Sequence, residues 1–311
     1  MTLKLHIYFG DTFEILKAKQ DKWKHKFRTV FADPPYFVSG GKGVLARPEG
    51  VFKRKGVRLN KGNWDEETND AKIIDFNRKW LKLTRPLIAK DGTIWICGFL
   101  NFNLWAVRMA MLPLGYRHLN NIVIVKPNAV PNLKGVRFAA ATEEMIWAKV
   151  YDKYYFAYHR MKKYNGAPDS PRGKQMHNYW IIPVDTRMNV GLHATQKNYE
   201  QVRRAILATT DEGDWVLDPF GGTCTTMKIC KELHRNCICI EKGFYYENQD
   251  THLYQCTCDK GFKTLPELIA HHNKTGHKRQ FVKDIMQKVG WNDQALDGKI
   301  EYKMFTKYFK E

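Results

Sequence analysis

The amino-acid sequence predicts an α/β fold, with a mostly parallel β-sheet covered by helices on both faces. Short apolar segments alternate with helical segments along most of the 311 residues. Two of the apolar segments end in turns that contain an acidic residue, at ADPPY and LDPFGG. No apolar run approaches the roughly 20 residues that span a bilayer, so no membrane-spanning segment is expected.

The predicted strands are short and apolar; in chain order they are HIYFGD, TVFADPPY, TIWICGF, residues 121–125, EEMIWAKV, DWVLDPF and CICIE. Helices are predicted between them, in FEILKAKQDKWKHKF, AKIIDFNRKWLKLTRPLI, NLWAVRMAMLPLG, NYEQVRRAILATT and TTMKICKELH. Residues 90–92 are expected to form a turn before TIWICGF. Because strands alternate with helices, the strands should lie mostly parallel, with both faces of the sheet covered.

The composition favours a polyanionic partner and an intracellular location. Lysine and arginine number 51 against 32 acidic residues, which gives a formal net charge of +19. Charge alone does not separate DNA from RNA or a membrane surface. The seven cysteines are odd in number and lie mostly in apolar runs, which argues against a disulfide framework. The N-terminus lacks the pattern of a secretory signal, so a cytoplasmic location is expected, in a prokaryote or in the host cell of a virus.

Two segments interrupt the alternation of strands and helices. Residues 37–66 mix six glycines with many lysines and arginines, which predicts a long, mobile, basic loop. Such a loop is either a solvated surface segment or one that becomes ordered over a phosphate backbone. Residues 151–190 are rich in tyrosine, lysine, glycine and proline without a clear period, and are expected to form an irregular insertion.

The segment WVLDPFGGTCTT predicts a nucleoside-binding turn. A strand ends in an acid, the chain turns through two glycines, and a helix follows. The next strand, CICIE, ends in Glu241, whose carboxylate could accept hydrogen bonds from ribose hydroxyls. GxGxxG is absent, and so is the Gly-Lys-Ser/Thr of a phosphate loop. A plain strand–turn–helix connection is the alternative interpretation.

The segment VFADPPY places Asp33, Pro34, Pro35 and Tyr36 at the carboxyl end of a strand, where α/β sheets bind ligands. A carboxylate and a rigid proline-flanked carbonyl can both accept hydrogen bonds from one amino group. This pairing draws the nitrogen lone pair out of conjugation with the ring, so the nitrogen can attack a methyl sulfonium. The tyrosine ring offers a face on which a base can stack. The alternative is an Asp-Pro turn followed by an aromatic core residue.

Together, DPPY and the later DPFGGTCTT resemble the permuted β class of DNA amino-methyltransferases, which modify adenine N6 or cytosine N4. Other segments agree with this class: Gly10–Asp11, KPNAVPN at 126–132, Glu143–Glu144, and HATQKN at 193–198, which is similar to the family's HPTQKP. The resemblance covers roughly residues 3–247. It implies a Rossmann-like S-adenosylmethionine-dependent methyltransferase fold. Residues 1–250 are then the methyltransferase domain, with 151–190 as a target-recognition insertion.

The resemblance also implies roles for individual residues. Asp33 and the carbonyl of Pro34, within the DPPY motif, would orient the target amino group. Tyr36 would stack on a base flipped out of the duplex. The S-adenosylmethionine pocket would be lined by Asp11, Thr195, Lys197, Asp218, Pro219, Phe220, Gly222, Thr223 and Glu241. DPPY favours adenine over cytosine within this family.

The sequence departs from the family pattern at two motifs. Cys224 stands where the family's loop usually has a second glycine, and a small side chain is expected to fit there if its φ angle stays negative. Ala194 and Asn198 replace the prolines of HPTQKP. Neither change is interpreted as a loss of activity.

Residues 251–280 match a two-cysteine, two-histidine zinc finger, with Cys256, Cys258, His271 and His277 as ligands of one structural zinc. The metal would supply folding energy that so short a unit lacks. The cysteines are only one residue apart, which is closer than usual. The alternative is a cysteine-bearing hairpin followed by a histidine-bearing surface helix. Residues 281–311 are expected to form a helix and a packed tail.

The sequence therefore predicts a site-specific adenine-N6 methyltransferase that acts on double-stranded DNA and needs no catalytic metal. Cytosine-N4 transfer on the same scaffold is the nearest alternative. A zinc-finger DNA-binding protein with an inactive methyltransferase core is a further one. A homodimer is an expectation from the family, and a restriction-modification role is one of several that the sequence leaves open.

Overall fold

The structure is a computed structural model, and it describes residues 3–37, 69–98, 102–129, 136, 138–164, 173–183, 197–222, 224–241, 247–248, 253–255, 261–262 and 300–304. The strands are β1 (Leu5–Phe9), β2 (Phe27–Ala32), β3 (Ile88–Gly98), β4 (Arg117–Val125), β5 (Thr142–Lys149), β6 (Tyr179–Ile181), β7 (Trp215–Asp218), β8 (Asn236–Glu241), β9 (Glu247–Asn248), β10 (Leu253–Gln255), β11 (Gly261–Phe262) and β12 (Ile300–Met304). The helices are α1 (Thr12–Ala18), α2 (Gln20–Trp23), α3 (Asp70–Thr84), α4 (Phe102–Met111), α5 (Tyr158–Lys163), α6 (Tyr199–Thr209) and α7 (Thr225–Glu232).

The main sheet has the strand order β12-β1-β8-β7-β2-β3-β5-β4-β6. The neighbours from β12 to β3 pair in parallel, and β6 pairs in parallel with β4. Among the described strands of this sheet, β5 alone runs against its neighbours β3 and β4. The prediction of a mostly parallel α/β sheet is therefore confirmed, and every strand segment inferred from the sequence belongs to it.

The main sheet separates two apolar cores. Side chains of a strand alternate between its faces, so in β3 Trp95 enters one core and Ile96 the other. Helices α6 and α7 cover the first core, whereas α1, α3 and α4 cover the second. Helices thus cover both faces, as the alternation of elements predicted. None of the described helices has the length and apolarity needed to cross a membrane.

Two strands of the sheet were not predicted. The first, β6, lies in the 151–190 insertion, which also contains α5 packed against α6. The prediction of an irregular segment is therefore wrong for these residues. Tyr179–Ile181 is too short to show a period by itself, and its pairing with β4 makes it a strand.

The second unpredicted strand, β12, lies in the 281–311 tail and pairs in parallel with β1, from Leu5↔Ile300 to Phe9↔Met304. The alternating sequence IEYKM is typical of a strand. A helix in 281–311 would have to lie outside the described residues.

The turn predicted at residues 90–92 is wrong, because β3 runs continuously through it. Phe27 pairs with Ile88 and Thr29 with Thr93, so the extra residues of β3 form a bulge between these pairs. A β-carbon added at Gly92 would lie only 2.8 Å from the carbonyl oxygen of Phe27. The glycine therefore serves close packing against β2 and not a chain reversal.

The three strands β9, β10 and β11 form a separate antiparallel sheet in the order β11-β10-β9. Tyr254 pairs with Phe262 and Gln255 with Gly261. The predicted zinc ligands Cys256, Cys258, His271 and His277 lie outside the described residues.

The backbone at Cys224 corrects an expectation from the sequence. This residue precedes α7 with φ 56° and ψ 33°, in the left-handed region, and not at the negative φ expected for a non-glycine side chain. The Cys224 amide donates to the carbonyl oxygen of Gly221 at 2.7 Å, which closes the turn into the helix. The left-handed conformation costs a residue with a β-carbon about 1–2 kcal/mol.

The strain at Cys224 predicts an inverted order of stability. Cys224→Gly should unfold with a free energy about 1 kcal/mol higher than Cys224→Ala, because both lose the thiol and only alanine keeps a β-carbon in the left-handed region. Urea unfolding of both variants measures this difference. The matched control is Cys230, inside α7, where alanine should be more stable than glycine by about 1 kcal/mol. The same order at both positions would contradict the assignment of strain.

Candidate active site

The carboxyl ends of five neighbouring strands form the candidate site. In the order β1-β8-β7-β2-β3 all five run parallel, so their carboxyl ends share one edge of the sheet. Gly10 and Asp11 follow β1, Glu241 ends β8, Asp218 ends β7, and Asp33 follows β2. The motifs that lie far apart in the sequence are therefore adjacent in space. α/β sheets bind ligands at this edge.

The DPPY segment forms a compact polar unit at the end of β2. The Tyr36 hydroxyl donates a hydrogen bond of 2.6 Å to Oδ1 of Asp33. The Nζ atom of Lys197 lies 3.2 Å from the same oxygen, and the side chains of Lys197 and Asp33 are 12% and 24% exposed. Pro34 is buried. The carboxylate is therefore held on one oxygen and remains partly accessible.

Lys197 belongs to the segment that the family resemblance assigned to the cofactor side. In the structure its ammonium group also donates to the Tyr36 hydroxyl. It lies 4.7 Å from the centroid of the Tyr36 ring. The ammonium group therefore lies beside the hydroxyl at the edge of the ring and not above the ring face. The contact is a hydrogen bond and not a cation–π interaction. Lys197 thus reaches the DPPY segment, which adjoins the predicted cofactor pocket.

The pKa values in this cluster favour protonated donors. Burial by itself would lower the pKa of Lys197, but the charge of Asp33 and the neighbouring Tyr36 hold it well above its usual value. Burial, and then the charge of Asp33, raises the pKa of Tyr36 well above its usual value. Both side chains therefore act as hydrogen-bond donors near neutral pH.

Asp218 of the glycine-rich turn is buried at the end of β7 and 4% exposed. Its carboxylate accepts hydrogen bonds from the Thr226 hydroxyl at 2.5 Å and from the Phe220 amide at 3.0 Å. Burial, which the charges of Asp33 and Glu241 reinforce, raises the pKa of Asp218 to about 7 despite these donors. A cationic group bound nearby would favour its ionised form.

Glu241 joins the glycine-rich turn to the end of β8. Its Oε2 accepts a hydrogen bond of 2.7 Å from the Gly222 amide, where the backbone is left-handed with φ 50°. Its carbonyl oxygen accepts from the Gly10 amide at 2.9 Å. These two hydrogen bonds join Glu241 to the glycine-rich turn and to the residue that follows β1, and its half-buried side chain remains partly exposed.

Asp11 and Thr12 connect the start of α1 to the glycine-rich turn. The Asp11 side chain caps α1 by accepting from the amides of Phe13 and Glu14. The Thr12 hydroxyl donates to the carbonyl oxygen of Pro219 at 2.8 Å. Asp11 and Pro219 were predicted from the sequence, whereas Thr12 was not, because a threonine in a first helical turn carries no distinctive signal.

Phe76 is a second residue that the sequence did not identify. Its ring lies 5.3 Å from both Phe13 and Phe37, and 6.3 Å from Phe220. These three rings belong to the segments that follow β1, β2 and β7. One aromatic side chain of α3 therefore packs against three motif-bearing segments. The sequence showed only an amphipathic helix here.

The far side of the DPPY segment carries a charged pair and a buried thiol. Lys126, which follows β4, forms an ion pair with Glu143 of β5. The charge of Glu143 also acts on Tyr36 and Lys197. The side-chain amide of Gln201 on α6 donates a hydrogen bond of 3.5 Å to Sγ of Cys97, near the end of β3. Lys126 and Glu143 therefore lie near the DPPY segment.

Several predicted site residues lie outside the described residues: Thr195, Thr223, Cys256, Cys258, His271 and His277. Among the residues that the structure does describe, no group of three or more histidine, cysteine, aspartate or glutamate side chains is arranged to hold a metal ion.

The chemistry of this edge follows from its charges. The carboxylates of Asp33 and Glu143 help to raise the pKa of the Lys197 ammonium against the effect of burial. Burial raises the pKa of Asp218, and the charges of Asp33 and Glu241 add to that effect. The four carboxylates therefore outnumber two ammonium groups, that of Lys197 and that of Lys126, which pairs with Glu143, and such an excess suits a cationic ligand. The partly accessible Asp33 can in addition accept a hydrogen bond from an amino group.

Comparison with known proteins agrees with this geometry. Residues 27–251 match the family model described as DNA methylase, of the N6/N4 type. The type II methyltransferase M2.DpnII of Streptococcus pneumoniae is 36% identical over 245 residues, which cover 76% of this chain and 85% of that protein. M2.LlaDCHI of Lactococcus lactis subsp. cremoris is 37% identical over 242 residues, covering 76% and 84%.

Solved structures share the fold. The cytosine-N4-specific PvuII DNA methyltransferase matches with a TM-score of 0.60 at 14% identity, over 97% of this chain and 96% of that one. The complex of M1.HpyAVI with S-adenosylmethionine matches with a TM-score of 0.54 at 23% identity, over 77% and 94%. The family model and the sequence relatives each cover most of this chain, and it belongs to the N6/N4 DNA methylase family.

Proposed function

We propose that this DNA methylase transfers a methyl group from S-adenosylmethionine to N6 of adenine in double-stranded DNA, at a defined site. One observation carries the proposal: Asp33 of the DPPY segment follows β2, the neighbour of the strand that ends in Asp218, and Glu241 ends the strand beyond. An acceptor for an amino group thus adjoins a carboxylate-rich pocket suited to a cationic nucleoside. The DPPY motif favours adenine over cytosine.

The chain's own groups prepare the target nitrogen for reaction. Asp33 and the Pro34 carbonyl accept hydrogen bonds from the two amino hydrogens, which turns the nitrogen lone pair out of the ring. The Tyr36 ring stacks on the base, which must leave the duplex because its amino group lies within the stack. S-adenosylmethionine would supply the methyl group on a sulfonium: the new N–C bond would form as the C–S bond breaks, with S-adenosylhomocysteine as the leaving group and the proton of the nitrogen released to water.

The residues around the glycine-rich turn fit the methyl donor. Asp218 is a buried carboxylate that suits the donor's ammonium group, and Glu241 at the next strand end suits its ribose hydroxyls. Phe220, packed at 5.4 Å against Trp80, gives the pocket an aromatic wall. Thr195 and Thr223 complete the proposed pocket, together with Asp11, Pro219, Gly222 and Lys197.

The DNA partner is supported by the net charge of +19 and by the family. We assign residues 1–250 to the methyltransferase domain, 37–66 to a basic loop over the phosphate backbone, and 151–190 to target recognition. The relatives are type II methyltransferases of bacteria, so this chain is proposed to protect a recognition site in a restriction-modification system within a bacterial cell. A homodimer is proposed only as an expectation from the family.

We further propose that residues 251–280 form a zinc finger with Cys256, Cys258, His271 and His277 as ligands. Strands β10 and β11 pair in the antiparallel manner of a finger hairpin, and both cysteines belong to the connection between them. Thiolates and imidazoles are the ligands that structural zinc prefers.

The proposed reaction predicts the loss of transfer in Asp33→Ala. The wild-type chain should place the label of S-adenosylmethionine on N6-methyladenine in duplex DNA. The variant should lose at least about 10²–10³-fold in rate, because no carboxylate orients the amino group. Nucleoside analysis after digestion measures both the rate and the base.

The matched control is Asp75→Ala, an exposed aspartate of α3, which should keep wild-type activity. Cofactor binding by Asp33→Ala should stay within about threefold of the wild type, measured by calorimetry. If the product were N4-methylcytosine, the target base would be cytosine and not adenine. Full turnover by Asp33→Ala would contradict the role of the carboxylate.

The pKa of Asp218 predicts that cofactor affinity depends on pH. Because a cationic ligand favours the ionised carboxylate, affinity should rise by up to about tenfold per pH unit below pH 7 and level off above it. Affinity rises with pH because the pKa of Asp218 is raised in the free protein and is lowered by the bound ligand. Calorimetry from about pH 5.5 to about pH 8.5 brackets that pKa and measures the dependence, and Asp218→Asn should remove it. An affinity that falls with rising pH would refute the assignment.

The zinc proposal predicts about one zinc ion per chain by elemental analysis. A Cys256→Ser, Cys258→Ser double variant should contain none, whereas Cys97→Ser should keep the full amount, since Cys97 is buried in the main sheet. Equal zinc content in both variants, or none in the wild type, would overturn the assignment.

A further inference from the structure

We propose that Lys197 and the Tyr36 hydroxyl are positioning residues, which fix Oδ1 of Asp33 so that Oδ2 is presented to the target amino group. This inference rests on the proposed function and deepens it. It places Lys197 at the edge of the proposed cofactor pocket, where its task is to act on the reacting base and not to hold the cofactor. It also gives Tyr36 a second task, because the ring can stack on the base while its hydroxyl holds the carboxylate.

The contacts at Asp33 carry the argument. The Tyr36 hydroxyl and the Lys197 ammonium both meet Oδ1, at 2.6 Å and 3.2 Å. Among the residues that the structure describes, none donates a hydrogen bond to Oδ2. Two donors on one oxygen prevent the carboxylate from exchanging its oxygens by rotation about the side-chain bond. The second oxygen therefore keeps one direction, and the side chain as a whole is 24% exposed.

The backbone of Lys197 is itself fixed. The next residue, Asn198, caps α6 by accepting a hydrogen bond of 2.9 Å from the Glu200 amide. Gln201, in the first turn of α6, is 2% exposed and contacts Cys97 near the end of β3. The start of α6 is thus joined to the strand next to β2. A lysine has many rotamers, and this anchoring makes its position at Asp33 reproducible.

The charges around Lys197 keep it a donor. Asp33 and Glu143 face its ammonium and, with Tyr36 and Cys97, favour the charged form against the effect of burial. A permanently charged ammonium cannot accept a proton from the target nitrogen, so its contribution is to hold Asp33. An ammonium close to a sulfonium would repel it. The ion pair with Asp33 offsets this repulsion.

Three variants test the inference. Lys197→Met keeps the length of the side chain and removes the charge, and kcat should fall by about 10- to 100-fold, the effect of losing one charge-assisted hydrogen bond. KM for duplex DNA and the Kd for S-adenosylmethionine should stay within about threefold. Lys197→Arg should recover most of kcat. Tyr36→Phe, which keeps the stacking ring, should lose about tenfold in kcat.

Lys79→Met, the same change at an exposed position of α3, is the control and should match the wild type. A selective rise in the Kd for S-adenosylmethionine, with kcat at saturation unchanged, would make Lys197 a cofactor ligand and overturn the inference. Wild-type kcat in Lys197→Met would also overturn it. A wild-type chain that methylates no DNA would instead refute the proposed function, so the two failures are distinct.

Discussion

The parallel pairing of β1, β8, β7, β2 and β3 is the constraint on which the site depends. Parallel strands direct all their carboxyl ends to one edge. Asp33 and Asp218 are separated by most of the chain, yet β2 and β7 are hydrogen-bonded neighbours. If the strands alternated in direction, every second acidic residue would lie at the opposite edge of the sheet. The antiparallel strand β5 lies beyond this group and leaves its shared edge intact.

Electrostatics at this edge connects the two halves of the proposed reaction. The charge of Asp33 helps to raise the pKa of Asp218, so the carboxylate proposed to orient the base and the one proposed to bind the methyl donor act on each other. Lys197 forms an ion pair with Asp33, and its positive charge reduces the electrostatic repulsion between carboxylates that are partly removed from water. A cationic ligand would further reduce their repulsion. Ligand charge and protein charge are therefore complementary.

Packing holds the loops that carry these charges. Phe76 of α3 contacts rings from three motif-bearing segments, and the Thr12 hydroxyl bonds to Pro219. The left-handed backbone at Cys224 connects the glycine-rich turn to α7, and this conformation is strained. A fixed scaffold of this kind gives the polar groups their positions before any ligand binds, which is how preorganised sites act.

The sequence alone determined the fold class, the strands that carry the motifs, and the family, because apolar periodicity is a local property and the order of motifs is visible along the chain without any tertiary contact. It placed Asp33, Asp218 and Glu241 at strand ends for the same reason. Only the tertiary structure decided that Lys197 reaches Asp33, that Phe76 joins three segments, and that Tyr179–Ile181 and Ile300–Met304 join the sheet. These features depend on contacts between residues far apart in the chain, and a short or aperiodic segment carries no local signal of its distant partner.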